Sequence, residues 1–297
     1  MTSAQLIDGK ALAHRLRVAM RGRAQALVAA GRPAGLAVVL VGDDAASAVY
    51  VRNKLRACEE CGVQSQRHLL PSHATEAEVL ALVAELNTDP SIHGILVQLP
   101  LPAHIDVHRV VESIAVEKDV DGFHLYNVGA LVLGQSIFPP CTPYGVQLLL
   151  ETTGVEVAGK NAVVVGASNI VGKPMALMLL HKEATVSICH VRTRDLAQFT
   201  ILADILIVAA GKPGLIIGPM VKKGAVVIDV GINKLPDGRI VGDVDFESVR
   251  SRAAWLTPVP GGVGPMTVTM LIENTLRSAE RAADRLRHTP PEIFEIA

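Results

Sequence analysis

Two stretches of this chain, Gly35-Leu-Ala-Val-Val-Leu-Val41 and His93-Gly-Ile-Leu-Val-Gln98, are apolar almost throughout and too short for a buried helix. A strand apolar on both alternating faces is covered on both, which is the situation of a parallel sheet between helices. The intervening sequence agrees. Ala45 to Cys61 has helical spacing, with Gly62 as the residue just past its end. Residues 66–70 read as a short strand. Thr75 opens a helix to Leu86, and Glu78 three residues on completes a capping box. Leu6 to Ala30 also has helical spacing and stops at Gly31-Arg-Pro33.

A Pro-rich break at Phe138–Pro143 is followed by a helix near 144–153, and the alternation then restarts. Strands are predicted at Asn161–Val165, Thr185–Cys189, Ile205–Ala209 and Ala225–Val230. A second Pro/Gly-rich stretch near 255–267 precedes a helix from about Thr267 to Leu286. The fold class is therefore α/β with two domains, an N-terminal α/β domain over 1–140 and a Rossmann-like domain over 141–267. The helix from about 268 to the end at 297 is expected to pack back on the first domain. Its tail, HTPPEIFEIA, is expected to be a loosely held surface segment.

At 297 residues, 49% hydrophobic and 19% charged, the chain can bury two cores. Its 28 basic and 29 acidic residues leave a net charge of −1, which argues against nucleic-acid or membrane-surface partners. No apolar run has bilayer length, and Met1–Asp8 lacks the features of a signal peptide, so a cytoplasmic protein is expected. Of the cysteines at 58, 61, 141 and 189, the first two form a CxxC. That motif suits a redox pair or half a zinc site. It falls inside a predicted helix with no second ligand pair at zinc-like spacing, so the expectation is a structural role and no metal.

The second half opens with Asn161-Ala-Val-Val-Val-Gly166-Ala167-Ser168-Asn-Ile-Val-Gly172-Lys-Pro174, a strand running through a glycine turn into a helix. Free amides and the helix dipole at such a helix start favour a phosphate. The spacing is not GxGxxG, so an ordinary strand–turn–helix is the competing reading. The next strand ends Cys189-His190-Val191-Arg192-Thr193-Arg194. A ribose-binding acid would stand at this tip for NAD. Two arginines stand there instead, and arginine matches a 2′-phosphate in charge and shape, which favours NADP over the alternative of a solvated turn.

Tyr50 and Lys54 lie at i and i+4 on the second predicted helix, about 5–6 Å apart at Cβ. YxxxK also marks short-chain dehydrogenases, but there it follows the glycine turn, and here it precedes it. The segments around Tyr50–Lys54, Gly94–Pro102 and Glu117–Phe123 are followed by Pro140–Gly145, Gly166–Pro174 and Thr257-Pro-Val-Pro260-Gly261-Gly262-Val-Gly-Pro-Met-Thr267. In that order they closely resemble the bacterial bifunctional methylenetetrahydrofolate dehydrogenase/methenyltetrahydrofolate cyclohydrolase family over nearly the whole chain.

The resemblance implies a homodimer of two-domain α/β subunits with a catalytic cleft, the 1–140 domain binding folate. It implies oxidation of 5,10-methylenetetrahydrofolate with NADP and hydrolysis of the product to 10-formyltetrahydrofolate, in one-carbon metabolism. Tyr50, Lys54, Gln98 and Asp121 match the family's catalytic and folate-site residues, with Pro260, Gly261 and Gly262 beside the substrate. Gly166, Ala167, Ser168 and Ile232 match its NADP contacts. Many members have arginine where this chain has Ala167 and serine where it has Val191. The phosphate contact is therefore expected from Arg192 or Arg194.

These residue types suit that chemistry. Removing hydride from a carbon between two nitrogens leaves a resonance-stabilised cation, so the first step is chiefly a matter of positioning. Hydrolysis needs a base, and a cleft and a cationic substrate both favour a neutral lysine. Gln98, at the carboxyl end of a buried strand, can orient Lys54. Tyr50 can stack on a flat ring, and Asp121 can accept two hydrogen bonds from the guanidine-like edge of a pterin.

Overall fold

The computed structural model describes residues 3–288, which divide into two compact units. The first comprises Val18–Val120 and the chain from Ile272 onward. The second comprises the described residues up to Arg17 together with Asp121–Leu271.

The first unit is built on three parallel strands in the order β3-β2-β4, with β2 at Gly35–Val41, β3 at Gln64–Leu70 and β4 at Gly94–Val97. All seven residues of β2 are buried, as its two-sided apolar run requires. Its register pairs Val39 with His68 on one side and with Val97 on the other. Helix α2 (Ala45–Cys61) precedes β3 and ends at Gly62, whose φ of 77° is the left-handed turn glycine allows. Helix α3 (Glu76–Thr88) starts on the Thr75–Glu78 capping box. Its Val79, Val83 and Leu86 pack with Ala37, Val39, Ile95 and Val97 to form the core.

This unit also takes in the later turns of α1 (Gly9–Ala29) and α10 (Val263–His288). Arg23 on α1 bridges Glu273 at 2.5 Å and Glu280 at 2.8 Å. Asn274 Nδ2 donates to the Val120 carbonyl at 2.8 Å, and Ser278 Oγ to that of Glu117 at 2.7 Å. Short helix α4 (Val107–Ser113) completes the unit.

The second unit holds a six-stranded, all-parallel sheet. Its strands are β1 (Gln5–Leu6), β5 (Asn161–Val165), β6 (Thr185–Cys189), β7 (Ile205–Val208), β8 (Val226–Asp229) and β11 (Trp255–Leu256). They run in the order β1-β11-β8-β7-β5-β6, and an antiparallel ribbon of β9 (Asn233–Lys234) and β10 (Ile240–Val241) stands outside them. Helices α5 (Leu125–Val132), α6 (Cys141–Glu151), α7 (Gly172–His181), α8 (Leu196–Thr200) and α9 (Phe246–Arg250) connect or cover the strands. Val163, Val165, Leu206, Val208, Val227 and Leu256 are at the core. Pro140, in the proline-rich stretch, is the N-cap of α6.

Strand order reverses beside β5, since β6 lies on one flank and β7 on the other. The carboxyl edge between β5 and β7 is thus the switch point where such sheets bind ligands.

Two expectations about element ends are corrected. Leu6 does not begin a helix: Gln5–Leu6 pair with Trp255–Leu256 as an edge strand, and the helix starts at Gly9. A Cβ at Gly9 would run into the Gly262 carbonyl, so this helix start fits only with glycine. The last helix begins at Val263, four residues before the expected start, because Pro265 falls in its first turn, where no amide donor is needed. The segment Thr289–Ala297 of the expected surface tail lies outside the described residues.

Candidate active site

Lys54 and Gln98 meet within the first unit. Lys54 Nζ donates to Gln98 Oε1 at 3.0 Å. Gln98 Nε2 donates to the neighbouring Leu99 carbonyl at 2.6 Å, which fixes the amide with its oxygen toward the lysine. The Gln98 backbone is held independently, its N–H donating to the Val39 carbonyl at 2.8 Å. Strand β4 thus delivers the amide and α2 the amine. Tyr50 lies one turn before Lys54, is 38% exposed, and has its phenol raised by partial desolvation.

Cys58 and Cys61 continue α2 into the core and are fully buried, with free thiols. Burial pushes the Cys58 thiol up to about 12, with Cys61 adding to the effect and Lys54 opposing it. A thiol so held is protonated and a poor nucleophile or ligand. Among the described residues no group of three or more His, Cys, Asp or Glu side chains is placed to hold a metal ion.

The remaining predicted residues belong to the second unit. Asp121 is half-buried at the turn that Gly122 completes with φ of 75°. A Cβ at Gly122 would strike the Phe138 carbonyl and come within 3.0 Å of Pro140 N, so this Asp-Gly turn tolerates no side chain.

Gly166 leaves β5 at the switch point with φ of 124°, and its absent Cβ is where the Ala209 carbonyl lies. A Cβ at Gly172 would meet the Gly166 carbonyl and approach Ala167 Cα at 3.0 Å. The turn is held from inside by Ser168, whose Oγ accepts from the amides of Val171 (3.1 Å) and Gly172 (3.3 Å). The amides of Ala167, Ser168, Asn169 and Ile170 donate to no protein acceptor among the described residues. A glycine-cradled row of amides at a helix start is a fit for a dinucleotide phosphate.

At the tip of β6, Arg192 N donates to His190 Nδ1 at 3.1 Å and His190 N to Thr193 Oγ1 at 2.9 Å. This pins the turn backbone and leaves Arg192 and Arg194 exposed. Ile232 is 46% exposed after β8. Pro260, Gly261 and Gly262 form the turn between β11 and α10. Gly261 has φ of 109°, and a Cβ at Gly262 would clash with the Thr257 side chain and the Pro258 carbonyl.

Comparison with known proteins agrees with this layout. Residues 7–121 match the catalytic domain of tetrahydrofolate dehydrogenase/cyclohydrolase, and residues 140–283 match its NAD(P)-binding domain. The chain belongs to the tetrahydrofolate dehydrogenase/cyclohydrolase family. It is 62% identical over 285 residues to the bifunctional protein FolD of Nitrosospira multiformis, covering 96% of this chain and 99% of that one.

Among solved structures, the bifunctional FolD of Campylobacter jejuni superposes with a TM-score of 0.93 at 53% identity, over 94% of this chain and 99% of the other. The Trypanosoma brucei enzyme, complexed with NADP cofactor and inhibitor, gives 0.92 at 40% identity, over 95% and 99%. This member of the family is accordingly a bifunctional methylenetetrahydrofolate dehydrogenase/cyclohydrolase that acts on tetrahydrofolate derivatives and carries an NAD(P)-binding domain. Among the described residues no helix is long and apolar enough to cross a membrane.

Proposed function

We propose that Lys54, oriented by Gln98, is the general base of the hydrolysis, and that the dehydrogenation uses NADP. The observation that carries the first part is the 3.0 Å bond between the two side chains. When bound, NADP would supply the hydride acceptor for 5,10-methylenetetrahydrofolate, whose oxidation product is the methenyl cation. Lys54 then takes a proton from the water that adds to the methenyl carbon. It returns that proton to the ring nitrogen as the carbon–nitrogen bond breaks, and the carbinol hydroxyl gives its own proton to solvent as it becomes the formyl carbonyl, which yields 10-formyltetrahydrofolate. Gln98 keeps the amine aimed, Tyr50 stacks on the flat substrate ring, and Asp121 accepts from the pterin edge. The Pro260–Gly262 turn lets backbone approach the substrate.

Gly166, Ala167 and Ser168 would hold the dinucleotide phosphates and Ile232 the nicotinamide end, with the 2′-phosphate on Arg192 or Arg194. Residues 1–140, with the helix from about 268, would serve as the folate-binding catalytic domain, and 141–267 as the NADP domain. The bonds between the last helix and Arg23, Val120 and Glu117 support its place with the first of these domains.

A homodimer is supported by β3. Among the described residues this strand is paired only along β2, and Leu69 on it is 58% exposed. An open edge of this kind is a template for pairing. Sedimentation of the purified protein tests it, with a monomer as the contrary result. A cytoplasmic setting in one-carbon metabolism completes the proposal.

Substitution Lys54→Met tests the central assignment. Hydrolysis of methenyltetrahydrofolate should be lost while NADP still binds, and full hydrolysis would remove Lys54 from the role.

A further inference from the structure

Two buried carboxylates at the carboxyl edge of the six-stranded sheet take no part in the steps above. Asp229 ends β8 and is 3% exposed, and Asp243, just after β10, is fully buried. Asp243 Oδ2 accepts from the amides of Ala210 (2.6 Å) and Gly211 (2.9 Å). Its Oδ1 accepts from the Lys212 amide and from Asn233 Nδ2, both at 2.8 Å. Asp229 Oδ1 accepts from the amides of Gly231 (2.9 Å) and Asp243 (3.0 Å), and its Oδ2 from that of Val244 (2.9 Å). The Asp229 amide donates to Thr257 Oγ1 at 2.8 Å. The packing is interlocked, since a Cβ at Gly231 would strike the Asp243 carboxylate and one at Gly242 that of Asp229.

Two adjacent buried carboxylates are a poor way to stabilise a sheet, because each loses its hydration and each repels the other. Desolvation holds Asp229 up at about 6, with the charge of Asp243 adding to it. What carboxylates do well is accept from several amides at once, since an ionised carboxylate is the one side chain with acceptor sites only. The amides they gather belong to the loops around the nucleotide turn. Ala210–Lys212 follows Ala209, whose carbonyl packs on Gly166, and Gly231 precedes Ile232. Thr257 opens the Pro260–Gly262 segment.

We propose that Asp243, braced by Asp229, is a positioning residue for the nicotinamide cofactor, fixing the Ala210–Lys212 loop and the Ile232 backbone. The proposal rests on the NADP reading above. Asparagine at 243 would turn an NH2 toward amide donors and break bonds on one oxygen, with little change of volume. Asn233→Ala removes one donor to Asp243 and leaves the carboxylates in place.

Calorimetric titration with NADP, alongside hydrolysis of methenyltetrahydrofolate without any nicotinamide cofactor, separates positioning from general loss of structure. Asp243→Asn should weaken NADP binding about tenfold or more, equivalent to about 1.4 kcal/mol per factor of ten. Asn233→Ala should weaken it about threefold, as expected for one hydrogen bond, with hydrolysis within about twofold of wild type in both. Unchanged NADP affinity in Asp243→Asn overturns the proposal, as does a fall in hydrolysis that matches the fall in binding. If Asp243→Asn does not fold, Asn233→Ala decides, and unchanged affinity there is equally contrary. A wild-type protein that binds no NADP would instead remove the cofactor reading, and the proposal with it.

Discussion

Replacing Gln98 by alanine should separate the two activities. The backbone at 98 is held by its own bond to the Val39 carbonyl, so β4 stays in register without the side chain. What goes is the 3.0 Å bond to Lys54 and the 2.6 Å bond that fixes the amide's orientation. A hydrogen bond between neutral groups contributes about 0.5–1.5 kcal/mol, and each 1.36 kcal/mol in a barrier is about a factor of ten. If the bond serves to aim the neutral amine, hydrolysis should slow by about 2- to 13-fold. Oxidation of the methylene compound transfers no proton through Lys54 and should fall much less. Gln98→Glu is the informative companion. It keeps an acceptor at the same place but adds a charge that holds the lysine as an ammonium, so hydrolysis should fall there too. Initial rates of methenyltetrahydrofolate hydrolysis and of methylenetetrahydrofolate-dependent NADP reduction, on the same preparations, give the comparison. Equal losses in both activities, or intact hydrolysis in Gln98→Ala, would refute the reasoning.

Three further outcomes are expected. A carboxyl raised from 3.8 to about 6 favours the folded state below its unfolded value, and that contribution, about 3 kcal/mol, is lost as pH rises through about 6. Denaturant unfolding should therefore show wild type losing about 1.4 kcal/mol relative to Asp229→Asn between about pH 5 and pH 8, the rest having gone below pH 5, and a constant difference would count against it. Gly166→Ala places a Cβ on the Ala209 carbonyl at a φ that disfavours it, so NADP binding should fall at least about tenfold while cofactor-free hydrolysis survives. Unchanged NADP titration would be contrary. Replacing both Arg192 and Arg194 by alanine should weaken NADP without weakening NAD, and parallel kinetics with the two cofactors check it.

The sequence discloses the parts of this molecule whose cause is local. The buried run of β2 and the Thr75–Glu78 box lie within single segments, and so do the glycine turn after β5 and the Tyr50–Lys54 face. β1 was not legible because Gln5 and Leu6 become a strand only against Trp255 and Leu256, some 250 residues away. Helix α5 has Leu125, Tyr126 and Val132 exposed, so its apolar spacing does not mark a covered face. The start of α10 hid among glycines and prolines that ordinarily signal a loop. The Asp229–Asp243 frame was missed for a similar reason, since a buried aspartate cannot be told from a surface one by type. A signal is present in Asp229-Val-Gly231 and Gly242-Asp243-Val, two apolar-flanked Asp/Gly pairs whose aspartates stand 14 residues apart. The Lys54–Gln98 bond itself is a tertiary event, foreseen from the position of Gln98 at a strand's carboxyl end.

The most direct test follows both products of one reaction. Purified protein is mixed with 5,10-methylenetetrahydrofolate and NADP, and NADPH and 10-formyltetrahydrofolate are measured together over time. A single bifunctional enzyme should produce the two in step, with little methenyltetrahydrofolate standing between them. NADPH accompanied by methenyltetrahydrofolate that disappears only at its spontaneous rate, or no NADPH at all, would contradict the account.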